Sequence, residues 1–326
     1  VWQCRRTADY CEKLKDKADL IQSKTGLVVD PYFSASKMKW ILDNIPCARK
    51  LLADGNLCFG TIDSYLIFRL TEGRSFVTDV TNASRTMLFN IHTLGWDDEL
   101  LELFGIPRSA LPEVKFSSDV FGCFKYEGRE IPIAGVAGDQ QAALFGQGCI
   151  KKGTGKITYG TGMFMLVNTG DVPVKSNCGM ITTIACSCAK KATYAIEGSV
   201  FNAGSCVQWL RDELEFFKTS AESEELAKSV EDTGGVYFVP AFTGLGAPYW
   251  NSEARACFTG ISRGTNKRHL TRAVLEAICY SAKDVADCMR ADGNMEFTEI
   301  GVDGGASAND FLMSFQSNVL GVKLVR

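Results

Sequence analysis

An aspartate, Asp139, stands where an apolar run at 131–137 gives way to a helical pattern that begins at Gln140. We interpret the run as a short buried strand, which places the carboxylate where a strand ends and a helix begins. In an open α/β sheet, this is a usual position for an acid that faces a ligand. Aspartate is also a favoured helix N-cap, so its position alone leaves a chemical and a structural role open.

Two glycine-rich turns have the composition of phosphate-binding loops. At 160–162, the glycines let backbone N–H groups approach an anion, and the hydroxyl of Thr161 adds a donor. A plain hairpin turn needs the same glycines. The second turn, at 303–305, lies between an apolar strand and a helix, which suits a nucleotide, although glycine there also fits a tight turn. Asn309 follows Gly305 by one helical turn and can face the same ligand.

A third candidate for nucleotide binding is a pair on one predicted helix. Gly204 and Gln208 are four residues apart and therefore lie on the same face. Glycine inside a helix costs up to about 1 kcal/mol relative to alanine, so a close neighbour is expected there. That neighbour can be a nucleotide or simply another helix.

Three aromatic residues, Trp2, Tyr32 and Phe164, lie outside the periodicity of a core. Aromatic rings near an acid can bind the C–H face of a polyol while side chains such as Asp139 and Gln140 bind its hydroxyls. Ordinary core packing is the alternative for each ring taken alone.

The elements that must position these side chains are also visible in the sequence. Residues 71–92 are predicted to form a polar loop, and Asp63 is a candidate N-cap. Apolar spacing and turn residues predict helices at 5–20, 36–42, 58–70, 96–104, 200–217, 269–290 and 309–318.

The second half of the chain opens with strand patterns. Runs at 156–159 and 163–167 are joined by the glycine turn, which predicts a hairpin, and a further strand is expected at 299–303. The turn-rich segment at 151–155 is the best candidate for a domain boundary. We therefore divide the chain into domains at 1–150 and 151–326.

Composition excludes several classes of function. The net charge of −3 over 326 residues provides no broad basic surface for nucleic acid. No apolar run approaches the length needed to cross a bilayer. Thirteen scattered cysteines and two histidines argue against a zinc site and fit free thiols in a reducing cytoplasm.

Taken together, the motifs resemble those of the FGGY carbohydrate kinases, and within that family those that act on glycerol. The matching stretches run through the chain in family order. They are residues 1–7, 81–90, 137–146, 158–162, 240–250 and 302–305.

This resemblance implies an α/β fold with two actin-like ATPase (ribonuclease H-like) domains around a cleft, the N-terminal one incomplete. Residues 1–150 would be the C-terminal part of the polyol-binding domain, and 151–326 a nucleotide-binding domain truncated at its end. The activity implied is ATP-dependent phosphorylation of glycerol to sn-glycerol 3-phosphate. A cytoplasmic homo-oligomer, dimer or tetramer, is implied at full length.

The resemblance also assigns roles to individual residues. Asp139 would be the general base and, through ATP, a ligand of Mg²⁺. The residues that would bind substrate are Trp2, Tyr32, Asp139, Gln140 and Phe164. Those that would bind ATP or ADP are Thr161, Gly204, Gln208, Gly305 and Asn309.

The sequence departs from the family at its start. An N-terminal Gly/Thr phosphate hairpin and an Arg-Glu pair that holds glycerol should precede Val1, so we expect a fragment that is inactive alone. Two alternatives stay open. One is a related FGGY kinase acting on a pentulose or another polyol, and the other is a non-catalytic, actin-like nucleotide-binding protein.

Overall fold

The computed structural model of the chain describes residue 2 and residues 4–186, 188–293 and 295–326. Contacts between Cα atoms group the chain into two compact units. The first contains Val1–Phe145, Gly170–Lys175 and Ile181–Ala195, and the second contains Gly146–Thr169, Ser176–Met180 and Ile196–Arg326. Among the helices of the described residues, none combines the length and the apolar composition that a membrane crossing requires.

Helices make up much of the first unit. They are α1 Ala8–Glu12, α2 Ala18–Thr25, α3 Ser34–Asn44, α4 Ala48–Ala53, α5 Ile62–Leu70, α6 Val80–Ala83, α7 Asp98–Phe104 and α8 Asp139–Gly146, with 3-10 turns at Lys15–Lys17 and Arg108–Ala110. The helix predicted at 96–104 is present as α7, although it begins at Asp98 and Trp96 belongs to a short strand. It is capped at its end by Gly105, which has the left-handed conformation that glycine favours.

Two helix predictions for this unit are wrong in detail. The helix expected at 5–20 is interrupted, because residues 15–17 are charged and exposed and no apolar face holds that turn against the core. Asp63 is not an N-cap. Thr61 precedes α5, and Asp63 lies inside the helix, buried, where it accepts a hydrogen bond of 2.7 Å from Thr78 Oγ1.

Strands of the first unit are short and paired in twos. They are β1 Val77–Asp79, β2 Phe89–Asn90, β3 Gly95–Trp96, β4 Glu113–Lys115, β5 Cys123–Tyr126 and β6 Arg129–Pro132. β1 pairs with β4 in parallel, with Val77 opposite Glu113. The expected polar loop at 71–92 is therefore wrong, since it contains β1, α6 and β2. The polar side chains of Thr78, Asp79 and Thr81 are buried and hydrogen-bonded.

The apolar run at 131–137 is not the buried strand predicted from its composition. β6 ends at Pro132, and residues 133–137 form no strand and are half-buried or exposed. The physical reason is that β6 pairs only with β5, so it has no sheet around it to bury both faces. The core of this unit instead contains Val80, Ala83, Phe89 and Ile91, packed with Ile184 and Tyr194.

The remaining strands are β7 Gly155–Tyr159, β8 Met163–Gly170, β9 Ile181–Ala185, β10 Thr193–Val200, β11 Tyr237–Val239, β12 Cys257–Thr259, β13 Glu299–Asp303 and β14 Lys323–Val325. β9 belongs to the first unit. In the second unit, neighbouring strands follow the order β14-β13-β7-β8-β10, and β10 contributes its residues 196–200 to this unit. The predicted hairpin is confirmed, because β7 and β8 are antiparallel with Tyr159 opposite Met163.

Helices cover this sheet with apolar faces. They are α9 Gly204–Asp212, α10 Glu222–Lys228, α11 Lys267–Gly293 and α12 Asp310–Leu320, with a 3-10 turn at Gly305–Ala308. α11 confirms the long helix predicted at 269–290, and it packs on α12 with Gln316 Nε2 donating to the Cys279 carbonyl at 3.3 Å. The helix expected at 200–217 is shorter than predicted. It begins at Gly204 and ends at Asp212.

Candidate active site

Asp139 is the first residue of α8, and its side chain is exposed. One carboxylate oxygen accepts the N–H of Gln140 at 2.9 Å, and the other accepts from Gln140 Nε2 at 3.3 Å. The carboxylate is therefore oriented by its neighbour and still open to a ligand. Both properties are needed for a group that takes a proton from a bound hydroxyl.

The buried carboxylate of Asp79 supports the start of α8 through a series of hydrogen bonds. Gly138 donates its N–H to Thr81 Oγ1 at 2.8 Å, and that hydroxyl donates to Asp79. Asp79 is fully buried and also accepts from Asn82 N at 2.9 Å and Ser117 Oγ at 2.7 Å. These hydrogen bonds support the backbone just before Asp139 through a connected, buried network.

Sequence reasoning missed Asp79, although one local signal was present. An acid directly before Val80, Thr81 and Asn82 has the pattern of a helix N-cap, and Asp79 does cap α6. Its contact with Ser117, which is 38 residues away, had no signal in the sequence.

The predicted aromatic residues are divided between the units. Trp2 and Tyr32 lie in the first unit with ring centroids 5.9 Å apart and nearly perpendicular planes, at 88°. The Arg85 guanidinium lies over the Tyr32 ring at 5.6 Å and donates to its hydroxyl at 3.4 Å, so this arginine is an additional member of the group. Phe164 lies on β8 in the second unit.

The second unit contains a cavity of about 470 Å³. This volume falls within the usual range for small-molecule sites, roughly 300–1,000 Å³. Its lining includes every residue predicted to bind nucleotide: Thr161, Gly204, Gln208, Gly305 and Asn309. These five residues come from three separate parts of the chain and meet at one concave surface.

Two glycines are required by close contacts between backbones: Gly204, which lines the cavity, and Gly304, which precedes the lining residue Gly305. A Cβ on Gly204 would lie 2.4 Å from the Gly160 carbonyl oxygen, to which the Gly204 N–H donates at 3.0 Å. A Cβ on Gly304, where φ is +89°, would lie 2.2 Å from the Tyr159 carbonyl oxygen. Thus the close neighbour expected for Gly204 is the backbone of the first glycine turn.

Gly305 differs from these two glycines. A Cβ built there would meet no heavy atom within 4 Å, so nothing in the protein excludes a side chain. Asn309 is the N-cap of α12 and accepts the Leu312 N–H at 2.9 Å, while its Nδ2 lies 3.4 Å from Ser223 Oγ. The short segment between them presents backbone to the cavity.

One wall of the cavity was not predicted. Ser220, Ser223 and Glu224, on and just before α10, line it together with the apolar side chains of Leu275 and Leu312. No motif or spacing distinguished these residues in the sequence, since α10 reads as an ordinary charged surface helix.

Tyr159, which also lines the cavity, is almost completely buried. Loss of hydration raises the pKa of Tyr159 well above its ordinary value, and its hydroxyl lies 3.1 Å from Gln316 Oε1. The phenol is therefore neutral at physiological pH and serves packing. Among the described residues, no group of three or more His, Cys, Asp or Glu side chains could hold a metal ion.

Comparison with protein-family models gives two matches that divide the chain. Residues 1–146 match the N-terminal domain of the FGGY family of carbohydrate kinases, and residues 155–326 match the C-terminal domain of that family.

Individual relatives give the same result. The chain is 56% identical over 331 aligned residues to a glycerol kinase of Halothermothrix orenii. The alignment covers 100% of this chain and 66% of the relative. A crystal structure of Plasmodium falciparum glycerol kinase with ADP matches with a TM-score of 0.89 at 40% identity, over 99% of this chain and 66% of that one. A ligand-bound xylulose kinase of Lactobacillus acidophilus matches with a TM-score of 0.85 at 26% identity, over 100% and 66%. The chain thus has the α/β fold of these kinases and spans slightly less than two thirds of their length.

Proposed function

Because the chain belongs to the FGGY family of carbohydrate kinases, we propose that the protein transfers the γ-phosphoryl group of ATP to a terminal hydroxyl of glycerol. The observation that carries the proposal is the cavity in the second unit, whose lining contains all five residues expected to bind nucleotide. Glycerol as substrate is supported by the 56% identity to a glycerol kinase, compared with 26% to a xylulose kinase.

Each unit supplies one half of the reaction in this proposal. The first unit binds the polyol through Trp2, Tyr32, Asp139 and Gln140, and the second binds ATP and contributes Phe164 to the polyol. A glycerol hydroxyl oxygen forms a bond to the γ-phosphorus while the bond from that phosphorus to the β,γ-bridging oxygen breaks. The hydroxyl proton passes to the Asp139 carboxylate, and ADP leaves. Transfer of this kind depends mainly on alignment and neutralisation of charge.

The cavity has the groups that a nucleotide needs. Backbone of the two glycine turns, together with the Thr161 hydroxyl, can donate to phosphate oxygens. The apolar side chains of Val207, Leu275 and Leu312 provide a surface for the base. Mg²⁺ would be held by the ATP phosphates and a carboxylate, because this metal is commonly bound by substrate oxygens and one or two carboxylates, and it would neutralise phosphate charge. Asp139 is the carboxylate we assign to it.

The thiol content supports a cytoplasmic location for this activity. All thirteen cysteines of the described residues are free, and several are buried as small apolar side chains. The homo-oligomer implied by the family resemblance stays a prediction.

The decisive experiment substitutes Asp139 in the gene product that contains this chain. A general base contributes about 10²- to 10⁴-fold to rate, so Asp139→Asn should lower glycerol-dependent ADP release by about that factor. Affinity for ADP should change less than twofold, because Asp139 does not line the nucleotide cavity.

A matched control is Asp98→Asn, which makes the same change at the first residue of another helix in the same unit. It should leave turnover intact. Turnover of the Asp139 variant above a tenth of the original rate would refute the assignment of the base. A preference for xylulose over glycerol would refute the substrate, and ADP binding without any turnover would favour a non-catalytic role.

A further inference from the structure

The wall of the nucleotide cavity formed by α10 contains an acid. Glu224 lines the cavity beside Ser220 and Ser223, and only 20% of its side chain is exposed. A carboxylate is unexpected in a site for an anionic ligand, because like charges repel. Its presence therefore indicates which part of the nucleotide lies next to this wall.

Contacts on two sides fix the position of the Glu224 carboxylate. Oε2 accepts the backbone N–H of Asp310, at the first turn of α12, at 3.0 Å. Oε1 pairs with Nζ of Lys228, one turn later on α10. A carboxylate has about four lone-pair sites, so these two contacts leave acceptor capacity for a ligand.

The acid is also separated from the glycine turns. Glu224 contacts Asp310, and the 3-10 turn Gly305–Ala308 and the N-cap residue Asn309 lie between Asp310 and the glycine turn. At a rise of roughly 2 Å per residue, Gly305 and Asp310 are roughly 8 to 10 Å apart. Phosphates bound at the glycine turns would thus leave the uncharged sugar, with its hydroxyl donors, closest to Glu224.

We propose that Glu224 accepts hydrogen bonds from the ribose hydroxyls of ATP and ADP. This inference rests on the proposed nucleotide site. A carboxylate that accepts from vicinal ribose hydroxyls is a common way for proteins to recognise the sugar of a nucleotide. The consequence is selectivity: the site prefers ribonucleotides to 2′-deoxyribonucleotides, because the deoxy sugar offers the half-buried carboxylate of Glu224 one hydrogen-bond donor fewer.

The test compares the affinities of the purified chain for ADP and for 2′-deoxy-ADP by calorimetry. A hydrogen bond to a charged group corresponds to about 10-fold or more in affinity, so the unsubstituted chain should bind ADP about that much more tightly. Glu224→Ala should lose most of this preference, with a large loss for ADP and less than a twofold change for 2′-deoxy-ADP. Glu224→Gln keeps the length of the side chain, and it should also reduce the preference for ADP over 2′-deoxy-ADP.

The ratio of the two affinities separates recognition from a structural role. If Glu224 only holds the start of α12, its removal weakens both nucleotides equally, and that result would overturn the inference. Glu225→Gln is the matched control, because it removes one negative charge from the exposed neighbouring position, and it should leave the ratio unchanged. Failure of the unsubstituted chain to bind ADP at all would instead refute the proposed nucleotide site itself.

Discussion

Replacing Gly305 with alanine adds one methyl group to the nucleotide cavity at a place where the protein leaves room. A Cβ at this position meets no heavy atom within 4 Å, and the φ angle of Gly305 lies outside the left-handed region. The folded state should therefore accept the change without strain. Because alanine reduces the freedom of the unfolded chain, we expect a gain in stability of about 0.4–1 kcal/mol.

Binding of ADP should change in the opposite direction. If the backbone N–H near Gly305 donates to a phosphate oxygen, a methyl group on that surface holds the nucleotide away. A hydrogen bond to a charged group contributes about 1.5–3 kcal/mol. Its loss raises the Kd for ADP by about 10- to 100-fold, since about 1.4 kcal/mol is tenfold.

Calorimetric titration with ADP and thermal unfolding, both on the purified chain, measure the two effects. Gly146→Ala is the matched control, because a Cβ there also meets nothing within 4 Å and Gly146 does not line the cavity. It should give a similar small gain in stability with unchanged affinity. If the Gly305 variant is stable and binds ADP within twofold of the original chain, the backbone of Gly305 does not face the nucleotide.

Two substitutions in the first unit test its buried carboxylates. Asp79→Ala should lower the free energy of unfolding by about 3 kcal/mol or more, because it leaves the buried hydroxyls of Thr81 and Ser117 without their acceptor; a loss below about 1 kcal/mol in urea titration would contradict this network. Burial raises the pKa of Asp63, so the folded state keeps this proton to a higher pH than the unfolded state does. Stability from this group is therefore lost as pH rises from about 4 through the folded pKa, and Asp63→Asn should abolish that loss. Urea unfolding of the original protein and of the Asp63→Asn variant at pH 4 and pH 7 measures this loss. If the difference in unfolding free energy between these two proteins is the same at both pH values, the reasoning is refuted.

The sequence alone determined the elements whose signals are local. The hairpin β7–β8 follows from two strand patterns around a glycine turn, and α7 ends where Gly105 can adopt a left-handed conformation. The long helix α11 follows from the periodicity of its apolar residues, ten of which are buried. The motifs also predicted the family, since each consists of a few adjacent residues.

Only the tertiary structure decided which polar groups meet. Asp63 fits an N-cap in the sequence, yet its partner is Thr78, 15 residues away on a strand. Asp79 supports the start of α8 through Thr81 and Gly138, which are 57 residues apart. Glu224 faces the cavity because α10 packs beside the start of α12, 86 residues later. Burial and hydrogen bonding join distant segments, and neither the spacing nor the propensity of neighbouring residues contains that information.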